Sequence, residues 1–157
     1  GSQDSLVIVM PGLNRFYYEN DYWPAKIDSV PDEDILNWIE ERIQIVPLTP
    51  RETGFDVLAN TNINTIDAKR LSEAADNCWN SLLKKKPADV GKAMTASFEA
   101  QIAMFPNMVT PEILSHLKQY KSDALGWKLS GAGGGGYFIF FSEKPIENAF
   151  SIRIRKS

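Results

Sequence analysis

The chain has 157 residues, 43% hydrophobic and 24% charged, with a net charge of −3. That length fits one domain, or one domain carrying part of another, with the residue balance of a globular protein. The weak negative charge argues against a nucleic-acid partner, which needs a basic face, and no apolar run is long enough for a membrane-spanning helix.

In chain order, residues 5–18 hold two apolar segments, Leu6–Met10 and Leu13–Tyr18, separated by Pro11-Gly12. The second reads as a strand ending at the polar turn Glu19-Asn20-Asp21. Residues 31–42 read as a helix opened by Ser29 or Pro31, with acids in the first turn and Ile35, Trp38 and Ile39 on one face. Ile43–Leu48 reads as a short strand, and 49–64 as loop. Asp67–Leu83 has helical spacing of Leu71, Ala74, Ala75, Cys78, Trp79 and Leu82. Cys78 is the only cysteine, so no intrachain disulfide is possible, and a reduced core residue suits a cytoplasmic location. Lys84-Lys85-Lys86 suits the end of that helix. Pro87–Phe105 is a further helix with Val90, Met94, Phe98, Ile102 and Phe105 inward. Thr110-Pro111-Glu112 starts another, with threonine as N-cap and proline at the first helical position. His116, in that helix, has no Cys or carboxylate cluster for a metal and reads as a surface residue. Strands are expected before and after residues 131–136, and a last one near 150–154. The order predicts an α+β fold, with helices packed on one face of a mainly antiparallel sheet.

Five of the ten glycines fall in the six positions 131–136. Glycine in quantity costs backbone entropy, so the cluster marks a need for unusual backbone angles or close approach. It is not a Walker loop, having no Gly-Lys-Ser/Thr ending and no long helix after it. A strand follows it, which also excludes the dinucleotide fingerprint. What remains is a tight hairpin or a ligand-facing loop at the sheet edge, and several residues with φ > 0 are expected there.

The stretch ALGWKLSGAGGGGYFIFF resembles the third conserved motif of the GHMP small-molecule kinases, the family of galactokinase, mevalonate kinase and homoserine kinase. Gly126, Lys128, Ser130, Gly131, Ala132, Gly133, Gly134, Gly135 and Gly136 match, whereas Trp127 stands where the family has a small residue. The stretch from Pro87 to Leu117 is similar to a helix pair of the family's C-terminal domain. In IVPLTPRETGFDVL, Thr49 and Arg51 take the places of a Thr-x-Arg turn. QDSLVIVMPGLNRFYYE is similar to a stretch of heptose-phosphate and fucose kinases, matched at Asp4, Pro11, Gly12, Leu13 and Asn14 and departing at Ser5.

The resemblance implies a ferredoxin-like C-terminal lobe over residues 43–157, with residues 1–42 a remnant of the N-terminal lobe and its connector. It implies a kinase of galactokinase, heptose-phosphate or fucose type, which uses ATP and Mg²⁺ to phosphorylate a hydroxyl of a hexose, deoxyhexose or heptose. The family's Pro-x-x-x-Gly-Leu-Gly-Ser-Ser-Ala phosphate loop does not occur in these 157 residues. The chain by itself is therefore expected to be inactive, with the rest of the N-terminal lobe and a sugar or sugar phosphate as its partners. By the resemblance, Asp4 orients or deprotonates the attacking hydroxyl, and Ser130–Gly136 face substrate and phosphates. Asn14, Tyr17 and Arg51 are candidate substrate contacts, Arg51 being equally readable as a solvated loop residue. Lys128 reads as a support of the loop or a solvent-exposed residue. Tyr18 and Trp23, with Tyr17, read either as core or as a surface that stacks on a sugar ring. Apolar residues between 5 and 18 would lose their cover without the missing lobe, so this segment is expected to pair copies of the chain as a homodimer or to be disordered. The alternative reading is a stand-alone ferredoxin-like module that binds a small molecule or protein without catalysis.

Overall fold

A computed structural model describes residues 2–51 and 53–156. They divide into two compact units, one of residues 1–41 with 153–157 and one of residues 42–152.

The first unit opens with helix α1 (Gln3–Val9), followed by strands β1 (Leu13–Tyr17) and β2 (Lys26–Val30), which pair antiparallel from Leu13↔Val30 to Tyr17↔Lys26. The apolar run after Ser5 is thus a helix, and it leaves Val7, Ile8 and Val9 exposed. Tyr18 and Trp23 are exposed too, so neither is core. Helix α2 (Glu33–Glu40) is capped by neither Ser29 nor Pro31: the Asp32 carboxylate accepts from the amides of Asp34 and Ile35. Its buried face is Leu36, Ile39 and Glu40, one position round from the expected Ile35–Trp38–Ile39 stripe. Glu40 belongs there because the returning C-terminal segment satisfies it. Its Oε1 accepts from the Ile154 amide at 2.6 Å and its Oε2 from Arg153 at 3.2 Å. The Ile154 amide, more than the guanidinium, holds the carboxyl below its ordinary pKa.

The second unit contains β3 (Ile43–Pro47), α3 (Thr65–Leu83), α4 (Pro87–Met104), a 3₁₀ turn (Pro106–Met108), α5 (Pro111–Tyr120), β4 (Gly126–Leu129), β5 (Tyr137–Phe141) and β6 (Phe150–Ser151). The strands form one antiparallel sheet in the order β4-β5-β3-β6. The α+β architecture is as expected. Leu129, Phe138 and Val46 lie opposite one another across β4, β5 and β3 and are all buried. Their face packs on Phe98 of α4 and on Ile113 and Leu117 of α5, while α3 lies against α4. Thr110 caps α5 through the Ile113 amide, as the Thr-Pro pair predicts. His116 departs from its expected place at the surface. It is half-buried, with its ring 5.3 Å from that of Tyr120, which in turn lies 5.8 Å from Phe140.

Gln44, buried on β3, has both ends of its amide used. Its Nε2 donates to Lys144 O at 2.9 Å, and its Oε1 accepts from the Ile146 amide at 2.6 Å. Among the described residues, no helix is long and apolar enough to cross a membrane.

Candidate functional site

The glycine loop joins β4 to β5, and its base is closed by the Ser130 amide donating to Tyr137 O at 2.9 Å. All five of its glycines have positive φ, from 65° at Gly131 to 153° at Gly135. Backbone of that kind strains any L side chain. The loop has two halves with different needs. A Cβ on Gly133 would come within 2.6 Å of Met108 O, and one on Gly135 within 2.8 Å of Thr49 O. A Cβ on Gly134 would meet the Phe55 ring at 2.8 Å. These three glycines allow the loop to lie on its own domain. Gly131 instead faces open space, with nothing within 4 Å of a Cβ, and both it and Ala132 are exposed. The amides of Gly131 and Ala132 meet no acceptor among the described residues. The loop is therefore packed at Gly133 to Gly135 and open at Gly131 and Ala132.

Arg51 lies with the loop, and part of its guanidinium is engaged there. Its Nε and Nη2 both donate to Gly133 O, at 3.2 and 2.8 Å. The amide on the other side of that peptide, Gly134 N–H, donates to Met108 O at 2.8 Å. The 133–134 peptide is thus fixed from both sides, which sets the direction of the Gly131–Ala132 tip. Beside Gly134 opens a cleft of about 500 Å³, walled by Thr49, Pro50, Phe55, Thr110, Pro111, Glu112 and Ile113. The Thr49 hydroxyl approaches Glu112 Oε1 at 3.5 Å. In the sequence, Thr110-Pro111-Glu112 signals only a helix start. Nothing local in the sequence signals that this start meets the 49–55 segment and the glycine loop.

Lys128, one position before β4 ends, supports the domain. Its ammonium donates to Ser97 Oγ at 3.1 Å and to Gln101 Oε1, both on α4. Burial pulls its pKa down to about 8, against the opposing effect of Cys78 on α3, whose own thiol burial pushes up. A lysine with a folded pKa below its unfolded one holds its proton less tightly in the native state. Its charge therefore costs stability below about 8, a cost relieved as pH rises toward the unfolded value of 10.5. We expect the pH dependence of unfolding between about pH 7 and pH 10 to have a smaller upward slope in Lys128→Met than in the parent chain. Urea melts at the two pH values check this, and equal slopes would refute it.

The remaining candidates lie in the first unit. Asp4 is exposed in the first turn of α1. Asn14 and Tyr17 share β1, and both are engaged in the hairpin. Asn14 Nδ2 donates to Pro11 O at 3.0 Å, and its Oδ1 accepts from the Ser29 hydroxyl at 2.7 Å. The Tyr17 hydroxyl donates to Asp28 at 2.7 Å, and Arg15 and Lys26 stand 4.6 and 4.9 Å from its ring centroid. Lys26 above all, then Tyr17, holds the Asp28 carboxyl below its usual range, while the bond to Asp28 raises the Tyr17 phenol. The structure thus brings Ser130–Gly136 and Arg51 together in one unit, and Asn14 and Tyr17 onto one strand of the other.

A family model for the C-terminal region of GHMP kinases matches residues 60–153. The glycine loop lies within that span; Asp4, Asn14, Tyr17 and Arg51 lie before it. Among solved structures, the chain is similar to a crystal structure of mevalonate kinase, with a TM-score of 0.59 and 23% identity. The match covers 84% of this chain and 46% of that one, so the chain spans about half the length of the structure it resembles. At that identity the likeness is one of fold. No curated protein matches the chain.

Proposed function

The chain belongs to the GHMP kinases through their C-terminal domain, and from that premise we propose that it is the C-terminal part of an ATP-dependent sugar kinase. In this reading, residues 43–157 are the C-terminal lobe, and residues 1–42 belong to the N-terminal lobe and its connector. The enzyme transfers a phosphoryl group to a hydroxyl of a hexose, deoxyhexose or heptose in the cytoplasm. The observation that carries the proposal is the exposed Gly131–Ala132 tip, whose amides have no acceptor among the described residues, on a loop fixed through Gly133. Phosphoryl transfer depends on positioning and on stabilising charge that develops in the transition state. Fixed amides at an open glycine tip suit that task, and they suit the phosphates of ATP. ATP supplies the phosphoryl group; the residues of this chain orient the acceptor and the loop. Asp4 is proposed to take the proton of the attacking hydroxyl. Mg²⁺ accompanies ATP in this reading; among the described residues no group of three His, Cys, Asp or Glu that could hold a metal occurs.

A stand-alone binding module is not favoured by the family. The test is ATP-dependent phosphorylation by the complete reading frame, followed by ³¹P NMR against a panel of sugars, mevalonate and homoserine. We expect a sugar phosphate, lost in Asp4→Asn. Transfer to mevalonate or homoserine alone would refute the sugar assignment, and transfer to nothing would refute the kinase.

A further inference from the structure

We propose that the cleft between the glycine loop and the start of α5 is the acceptor pocket, and that Glu112 makes it selective for neutral polyhydroxy groups over anionic ones. The inference rests on the kinase reading above and deepens it. The cleft has about 500 Å³, within the range of small-molecule sites, and Gly134 of the loop forms part of its wall. A molecule held there lies against the same loop whose tip is offered to phosphates.

The lining decides what kind of molecule fits. Glu112 is the one charged side chain among the described residues of the wall. A carboxylate only accepts hydrogen bonds, and its two oxygens can take two neighbouring hydroxyls of one ligand. Thr49 and Thr110 add hydroxyls, while Phe55, Pro50, Pro111 and Ile113 supply apolar surface for the C–H face of a ring. A carboxylate or phosphate in the same place would face Glu112 with like charge. Arg51, beside the cleft wall, stays a cation, but its Nε and Nη2 donors are taken by Gly133 O, so the charged side chain in the wall itself is Glu112. Ring hydroxyls therefore occupy the cleft, and any acidic group of the acceptor lies elsewhere.

The experiment uses the ¹⁵N-labelled 157-residue chain, titrated separately with D-mannose, L-fucose and mevalonate to tens of millimolar. At least one sugar is expected to shift the amides of Phe55, Glu112, Ile113 and Gly134, and mevalonate to leave them in place. Glu112→Gln should raise the sugar midpoint about tenfold, the loss of a charge-assisted hydrogen bond, while the amides of Phe138 and Phe140 stay unmoved. Glu112→Lys should let mevalonate shift the cleft amides. The proposal is overturned if mevalonate shifts them in the parent chain as strongly as a sugar, if no sugar shifts them, or if Glu112→Gln leaves the midpoint unchanged. None of these results bears on phosphoryl transfer by the complete reading frame, which separately decides the kinase reading.

Discussion

Purified by itself, the 157-residue chain is expected to turn over no ATP above a heat-killed control. In the proposed reading, the glycine tip offers a few backbone amides to a ligand that carries several negative charges. Removing one well-placed donor from an active site costs roughly 3 kcal/mol of transition-state stabilisation, about a hundredfold in rate. The family's phosphate loop supplies several such donors at once, and its motif is absent from these residues. The deficit should therefore place turnover below detection, even though the glycine loop is fully formed. A coupled assay of ADP release, run with and without sugars, makes the measurement. Activity that follows the chain through gel filtration would sink the proposal that catalysis needs a second lobe.

The second large effect concerns stability. Gly126→Ala is expected to cost the second unit about 3 kcal/mol, read as a lower urea midpoint with an unchanged slope. A Cβ on Gly126 would stand 1.9 Å from Gly91 O and 2.4 Å from Gly91 C. The clash is with helix backbone, so no rotamer can relieve it. Gly91→Ala meets the same barrier from the other side, at 2.4 Å from the Leu125 carbonyl carbon and oxygen. That substitution also separates two opposed effects. Alanine in a helix interior is worth about 1 kcal/mol over glycine, so helix propensity alone predicts stabilisation. The contact predicts destabilisation by more than that. A Gly91→Ala chain that melts higher than the parent would show that the α4–β4 contact is loose enough to yield.

Much of this arrangement was legible because it is written locally. Thr110-Pro111 marks the start of α5 through its own cap, and the apolar spacing of α4 points to Val90, Met94 and Phe98, all buried. The glycine cluster announced its positive φ values by composition alone. Elements that depend on distant partners were not legible. The run Leu6–Val9 has no polar alternation, so its apolar character does not separate helix from strand. Strand β2 is half exposed and carries no strand signal of its own, because Lys26, Asp28 and Ser29 outnumber its apolar residues. The cap at Asp32 was hidden among three successive acids. The candidate site was legible to the same limited degree. The motif identified the loop, but only the fold could show that Gly133 to Gly135 serve packing against Met108, Thr49 and Phe55. The same holds for Arg51, whose partner carbonyl lies 82 positions away, and for Glu112, whose cleft is assembled from three separated segments.

The close approach of α4 to β4 also bears on how the protein behaves when crowded. β4 ends its sheet, and a terminal strand with bare amides is a template on which another chain can add. Here the Trp127 amide donates to Thr95 Oγ1 at 3.3 Å, and the backbone of Gly91 lies against Gly126. The helix roofs the border that an incoming strand would need. The opposite border is β6, two residues long, Phe150 and Ser151. Both borders of a sheet rich in aromatic β-formers are thus blunted against strand addition, β6 by its length and β4 by the helix that its glycines bring down onto it.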